Sequence, residues 1–262
     1  MNKPKTGKLF GVSLGPGDPG LITRRAWDTL HQGAHWTYPV RKKGDDSYAL
    51  DIVLRGGLAL PQASTPLVFP MIHDREILAK YWLLAAEAVL QILHAGQDVA
   101  FLVEGDASSY STFSHLARTV IGLDDSVAID VIPGVPSYNA AAARLQTPLA
   151  ETDDTLAIIP AGYGIDVIER MLEECDTLAL LKVKPMLDAI IDFLDSRGLL
   201  QHSLFIEKAG TPEERIVRDV ASLRGTKVNY LSLMLVKNPD RPRGDLIRGC
   251  RKKSAQSVEE TA

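Results

Sequence analysis

Apolar positions fall in short runs that alternate with stretches of helical period, and glycine or proline separates most of them. Lys8 to Leu14 is the first run, rich in Phe, Val and Leu, and it stops at Gly15-Pro16-Gly17-Asp18-Pro19. Two prolines cannot donate to a strand ladder, so a strand ends there, and Leu21 to Leu30 follows with Leu21, Ala26 and Leu30 among its apolar positions as a helix. Residues 35 to 70 keep no single period. Short strands are expected at 35 to 40 and 66 to 69, with Arg41-Lys42-Lys43-Gly44-Asp45-Asp46 opening a solvated excursion between them. Asp74 is the expected N-cap of the strongest helix, whose stripe of Leu78, Tyr81, Trp82, Ala85, Val89, Ile92 and Leu93 should face the core. Gly96 stops it. Val99 to Val103 then has the length and character of a central parallel strand, followed by Glu104-Gly105-Asp106 and a helix from about Ser111 to Ile121.

The strand, loop, helix plan recurs at Val127 to Ile132, Pro133 to Ser137 and the alanine-rich Tyr138 to Leu145. Further strands are expected at Thr155 to Ile159, Thr177 to Val183, Leu204 to Lys208 and Val228 to Val236, with helices at Ile165 to Glu174, Pro185 to Ser196 and Glu213 to Ser222. The last strand is long enough to be antiparallel. The fold class is therefore α/β. The polar turn Asp124-Asp125-Ser126 divides an N-terminal α/β domain over 1 to 125 from a C-terminal α/β domain over 126 to 240. The basic and polar stretch 241 to 262 is expected to be a flexible tail.

Composition narrows the partners. In 262 residues, 29 basic and 33 acidic side chains leave a net charge of -4, and 45% hydrophobic residues suffice for a packed interior. That balance gives no counterion-release force toward nucleic acid and no polybasic anchor for a membrane, so a small-molecule partner is expected. Cys175 and Cys250, far apart, make neither a thiolate zinc site nor a disulfide scaffold and fit a reduced cytoplasm. The start has too short an apolar run for a signal peptide, and Lys80, Glu87 and Gln91 interrupt the apolar segment Ile77 to Ala95 as in a soluble helix.

Gly15 to Gly20 departs from a dinucleotide fingerprint. Its prolines remove amide donors and Asp18 would repel a pyrophosphate, which leaves a tight turn or a cleft rim. Glu104-Gly105-Asp106 is the stronger candidate for ligand contact, since it follows a buried strand at the end where open α/β sheets bind ligands. The competing role for Asp106 is to cap a helix or pin a turn. No histidine set has metal-ligand spacing with a third ligand, and Cys175 lies among acidic residues that would raise its thiol pKa, so neither a protein-bound metal nor covalent catalysis is expected. Lys182, Lys184 and Lys208 stand at strand ends, where they either meet acidic ligand groups or snorkel.

Three ordered motifs carry a family resemblance: Val12-Ser13-Leu14-Gly15-Pro16-Gly17-Asp18-Pro19-Gly20-Leu21-Ile22-Thr23, then Glu104-Gly105-Asp106, then Val131-Ile132-Pro133-Gly134-Val135-Pro136-Ser137. Over roughly residues 8 to 237 the chain resembles the tetrapyrrole (corrin/porphyrin) methylases. Tyr110-Ser111-Thr112-Phe113 and Lys208 through Ile216 make it most similar to the precorrin-2 or cobalt-factor II C20-methyltransferases. It departs from the family at Ala107 and Pro136, where proline and threonine are usual.

The resemblance implies a two-domain α/β fold with S-adenosylmethionine in the cleft between domains, held by Glu104, Gly105, Asp106, Tyr110, Ser111, Thr112, Pro136, Ser137, Lys182 and Ala209. It places Gly15, Pro16, Gly17, Asp18 and Pro19 on the tetrapyrrole side. Arg24, Arg25, Arg75, Lys80 and Lys184 become candidate clamps for the carboxylates of the substrate. The implied reaction is methyl transfer to the C20 meso carbon in cobalamin biosynthesis, with Asp18, or Glu104 behind it, as proton acceptor. A homodimer is also implied. The alternatives are methylation at C2/C7, C11 or C17, or a noncatalytic tetrapyrrole-binding protein.

Overall fold

A computed structural model describes residues 6–72 and 74–244. Strands β1 (Leu9–Ser13), β2 (His35–Val40), β3 (Ser64–Val68), β4 (Val99–Val103) and β5 (Ile129–Ile132) form one sheet in the order β3-β2-β4-β1-β5. Every pairing in it is parallel. Such a sheet needs cover on both faces, and β4 shows how one apolar run supplies it. Val99, Phe101 and Val103 pack with α3 (Arg75–His94) and α4 (Phe113–Leu123) on one side. Ala100 and Leu102 pack with α1 (Arg24–Leu30) and α2 (Tyr48–Arg55) on the other.

The second sheet joins β6 (Leu156–Pro160), β7 (Thr177–Leu181), β8 (Ser203–Glu207), β9 (Arg215–Val217) and β10 (Ser232–Lys237) in the order β6-β7-β10-β8-β9. Only β6 and β7 pair parallel, and β10 runs antiparallel between β7 and β8. Helix α5 (Ser137–Leu145) covers one face through Ala141, Ala142 and Leu145. Helices α6 (Ile165–Glu174) and α7 (Leu187–Ser196) cover the other through Ile168, Leu172, Ile190 and Leu194.

Three sequence expectations change. The excursion after β2 contains α2, which starts where Ser47 Oγ accepts from Leu50 N at 3.4 Å and buries Ala49, Ile52 and Val53. The helix expected at Glu213 to Ser222 is instead β9 and a short 3-10 turn, Val220–Leu223. Ile216 is spent pairing opposite Ile206. Asp74 does cap α3, accepting from Glu76 N and Ile77 N at 2.9 and 3.0 Å. The buried stripe of α3, however, is Ala85, Ala86, Val89, Leu90 and Leu93, while Leu78, Tyr81, Trp82 and Ile92 are only half-buried. By length and composition alone this helix could cross a membrane, yet its C-terminal half is packed on the sheet.

The stretch after β10 begins anchored. Arg241 Nη1 reaches Asp176 Oδ2 at 2.9 Å, and Arg243 Nη2 reaches Asp154 Oδ1 at 2.7 Å and Asp176 Oδ1 at 3.0 Å. Residues 245 to 262 of the expected tail lie outside the described residues.

Candidate active site

Parallel strands end with their C-termini toward one edge of a sheet, and ligands collect there. The residues that follow β2, β4, β7 and β8 (Arg41, Glu104, Lys182 and Lys208) all line a single cavity of about 370 Å³ between the two sheets.

Backbone contacts fix the first wall. Gly15 and Gly105 exchange two hydrogen bonds, Gly15 N to Gly105 O at 3.1 Å and Gly105 N to Gly15 O at 2.7 Å. Both have positive φ, +76° in each case, a conformation that favours glycine. Ser13 Oγ, buried, accepts from Ala107 N at 2.8 Å. Asp106 spends both carboxylate oxygens on the same construction. Oδ1 accepts from Ser108 N at 2.9 Å and from the Ser108 hydroxyl, and Oδ2 accepts from Gly134 N at 2.8 Å. Burial raises its pKa, but the donors of Ser108, Gly134 and Ser109 outweigh that and leave it below the ordinary carboxylate value. Asp106 therefore lines the cavity and also ties the loop after β4 to the loop after β5.

The opposite wall is built from residues in left-handed backbone conformation. Lys182 (φ 57°) and Lys208 (φ 51°) leave their strands this way, and Tyr110 (φ 54°), in the loop between β4 and α4, shares the conformation on the other side of the cavity. Non-glycine residues in this region store strain, and such residues gather at functional sites. Each is held. Lys182 N donates to Ser232 O at 2.9 Å, and Lys208 N donates to Leu231 O at 2.8 Å. The Tyr110 hydroxyl donates to Ile158 O on β6 at 2.9 Å, which links the two sheets beside the cavity. Glu214 braces the turn after Lys208, accepting from Gly210 N at 2.7 Å and from Arg144 Nε at 2.8 Å.

Glu104 is the titratable group most affected by the cavity. Burial pushes its carboxyl up to about 7, against the opposing pull of the Arg41 and Lys182 charges. A carboxylate poised near neutrality is a competent proton acceptor.

All ten residues expected to hold the methyl donor line this cavity: Glu104, Gly105, Asp106, Tyr110, Ser111, Thr112, Pro136, Ser137, Lys182 and Ala209. Of the glycine-proline loop only Pro16 does so. Gly17 packs instead against the Ala209–Thr211 turn, where an added Cβ would stand 2.7 Å from Ala209 O. Asp18 is exposed, and its carboxylate accepts from Gly20 N at 2.8 Å, so the first-choice proton acceptor is outside the cavity wall.

The expected clamps are also elsewhere. Arg24 pairs with Asp28 at 2.8 Å and Arg25 with Asp130 at 2.8 Å, while Arg75, Lys80 and Lys184 are exposed away from the lining. The cations that do line it are Arg41, Lys182 and Lys208. Arg41 was hidden in a polar run whose orientation depends on α2. Its position directly after a strand that pairs with β4 is the signal that would have found it.

The wall suits a folded nucleoside carrying a sulfonium and an amino acid end. The Glu104 carboxylate on the wall suits a cationic group, and apolar Leu181, Ile206 and Leu233 offer a dry side. Helix α5 starts after Pro136 without a side-chain cap; Asn139 N donates to Pro136 O at 3.1 Å, and the N–H groups of Ser137 and Tyr138 begin the helix at the cavity wall. Among the described residues no three or more His, Cys, Asp or Glu side chains are grouped to hold a metal ion.

Comparison with known proteins gives consistent matches. The family model described as Tetrapyrrole (Corrin/Porphyrin) Methylases matches residues 8–223. The chain is 34% identical over 231 residues to a cobalt-precorrin-2 C(20)-methyltransferase of Salmonella typhimurium, covering 88% of this chain and 96% of the relative. It is 32% identical over 237 residues to a probable cobalt-precorrin-2 C(20)-methyltransferase of Methanocaldococcus jannaschii, again covering 88% and 96%. In fold it is similar to a uroporphyrin-III C-methyl transferase from Thermus thermophilus complexed with S-adenyl homocysteine, with a TM-score of 0.60, 24% identity, and 88% and 97% of the two chains covered.

Proposed function

The chain belongs to the tetrapyrrole (corrin/porphyrin) methylases and is an S-adenosylmethionine-dependent methyltransferase acting on a tetrapyrrole intermediate of cobalamin synthesis; from that premise we propose that it methylates C20 of precorrin-2 or its cobalt form. The observation that carries the site assignment is the convergence of all ten expected donor contacts on one cavity. Support for the C20 position comes from the two relatives that bear that name.

S-adenosylmethionine, when bound, supplies a methyl group made electrophilic by the sulfonium. The protein's own contribution is alignment and exclusion of water, because the meso carbon is already nucleophilic through its neighbouring pyrrole nitrogens. Tyr110 ties the two walls together, Asp106 and the Gly15–Gly105 pair fix the loop that lines the cavity after β4, and Leu181, Ile206 and Leu233 keep one side dry. Glu104 accepts the C20 proton; its place on the cavity wall and its pKa near 7 support it over Asp18.

The same reading includes a homodimer. Ile77, Leu83 and Leu84, apolar and exposed on α3, support a protein contact there, and sedimentation as a monomer would remove it.

Calorimetry with S-adenosylhomocysteine, followed by anaerobic incubation with S-adenosylmethionine and either metal-free precorrin-2 or its cobalt form, tests the proposal. A mass gain of one methyl with either substrate is expected, and the faster one identifies the metal state. Donor binding without methylation of either contradicts it.

A further inference from the structure

Arg41 directly follows β2 and Glu104 directly follows β4, adjacent parallel strands, and both line the cavity. The β2–β4 ladder pairs His35 with Val99, Trp36 with Ala100 and Thr37 with Phe101. Lys208 approaches Glu213 at 3.7 Å, and Lys182 lies over the Tyr230 ring at 5.7 Å. Arg41 is exposed on the cavity wall, and its charge opposes the effect of burial on the Glu104 carboxyl. A planar guanidinium at the mouth of a cavity suits bidentate capture of a carboxylate, and the proposed substrate carries many.

Resting on the function proposed above, we propose that Arg41 docks a carboxylate of the tetrapyrrole and that this docking strengthens Glu104 as the acceptor of the C20 proton. Before docking, Arg41 and Lys182 both favour the Glu104 anion. Once a substrate carboxylate neutralises Arg41, that support weakens and Glu104 binds a proton more tightly. The carbon–methyl bond forms as the sulfur–methyl bond breaks, the C20–H proton passes to the Glu104 carboxylate, and the C–H electron pair returns to the macrocycle. Product release frees Arg41, which again favours the anion, and Glu104 sheds its proton to water. The other charged groups on the wall, Asp46, Asp106, Lys182 and Lys208, are present before and after docking, so the change in Arg41 is the variable.

Steady-state pH profiles of the full chain, with Arg41→Gln and Arg41→Lys alongside, test this. In the unaltered protein the acid limb of kcat lies at higher pH than that of kcat/KM, because the first reports the substrate complex and the second the free enzyme. Arg41→Gln raises KM for the tetrapyrrole by about tenfold or more, moves the kcat/KM limb upward until the two limbs coincide, and leaves S-adenosylhomocysteine affinity unchanged. Arg41→Lys restores part of the limb separation but less of the KM, since lysine keeps the charge without the fork. Unaltered KM and limb separation in Arg41→Gln overturn this inference alone. Donor binding with no tetrapyrrole methylation by the unaltered protein overturns the functional reading and this inference with it.

Discussion

Gly134 comes so close to Ser13 that a Cβ added to Gly134 would stand 2.5 Å from the Ser13 Cβ and 2.7 Å from Gly105 O. Three loops thus meet with no room for a methyl group, and Asp106 stitches two of them through the Gly134 amide. Gly134→Ala is expected to destabilise the fold by about 1–3 kcal/mol through overpacking, and to weaken S-adenosylhomocysteine binding in the same variant. Denaturant titration and calorimetry on that variant check both.

Glu104→Gln keeps the size of the side chain and deletes its basicity. The single-turnover methyl-transfer rate at saturating donor is expected to fall by about a hundredfold or more. The sign of the pH effect follows from a folded pKa raised to about 7: the base is ionised above that value, so the rate falls as pH drops through it, and this limb disappears in Glu104→Gln. Survival of the limb in the variant assigns it to another group.

Lys182 carries a left-handed backbone at the cavity, a conformation glycine adopts freely. Lys182→Gly should therefore leave stability unchanged or raise it by up to about 1 kcal/mol while lowering methyl-transfer activity, separating the cost of the strained backbone from the use of the charge. Thermal unfolding and turnover measured on one preparation decide it. A large loss of stability would show that the lysine side chain, rather than its backbone, supports the fold.

Asp176 is 3% exposed and anchors the chain beyond β10 through Arg241. Its burial raises the pKa, but the Thr155 donors and the charges of Arg241 and Arg243 hold it near 2, below the ordinary 3.8. A depressed carboxylate stabilises the fold above its unfolded pKa and loses that contribution as pH falls through the folded one. The loss therefore occupies the interval from about 4 down to about 2. Asp176→Asn should cost about 2 kcal/mol at neutral pH and flatten the decline of stability across that interval, measured by urea unfolding.

Elements governed by local pattern were legible in the sequence. Helix α6 falls at Ile165–Glu174 as expected, and the run Val99–Val103 is the central parallel strand because each face of it needs apolar residues. The ten residues expected to hold the donor fall on one cavity because the motifs sit at strand ends, where topology rather than long-range packing sets position. What failed depended on tertiary choices. Glu213 to Ser222 reads as a helix from the sequence, but Glu214 turns back to Gly210 and Ile216 is drawn into the sheet opposite Ile206. Arg24 and Arg25, expected to clamp substrate, pair in the structure with Asp28 one helical turn on and with Asp130. Arg41 looked like one residue of a solvated run until α2, beginning at Tyr48, turned that segment along the cavity.

The most direct test of C20 methylation is carbon NMR of the product formed anaerobically from precorrin-2, or its cobalt form, with a donor labelled in the transferred methyl. One enriched methyl resonance coupled to C20 is the predicted result. An enriched methyl on any other carbon would contradict the C20 assignment while leaving the chain a tetrapyrrole methylase.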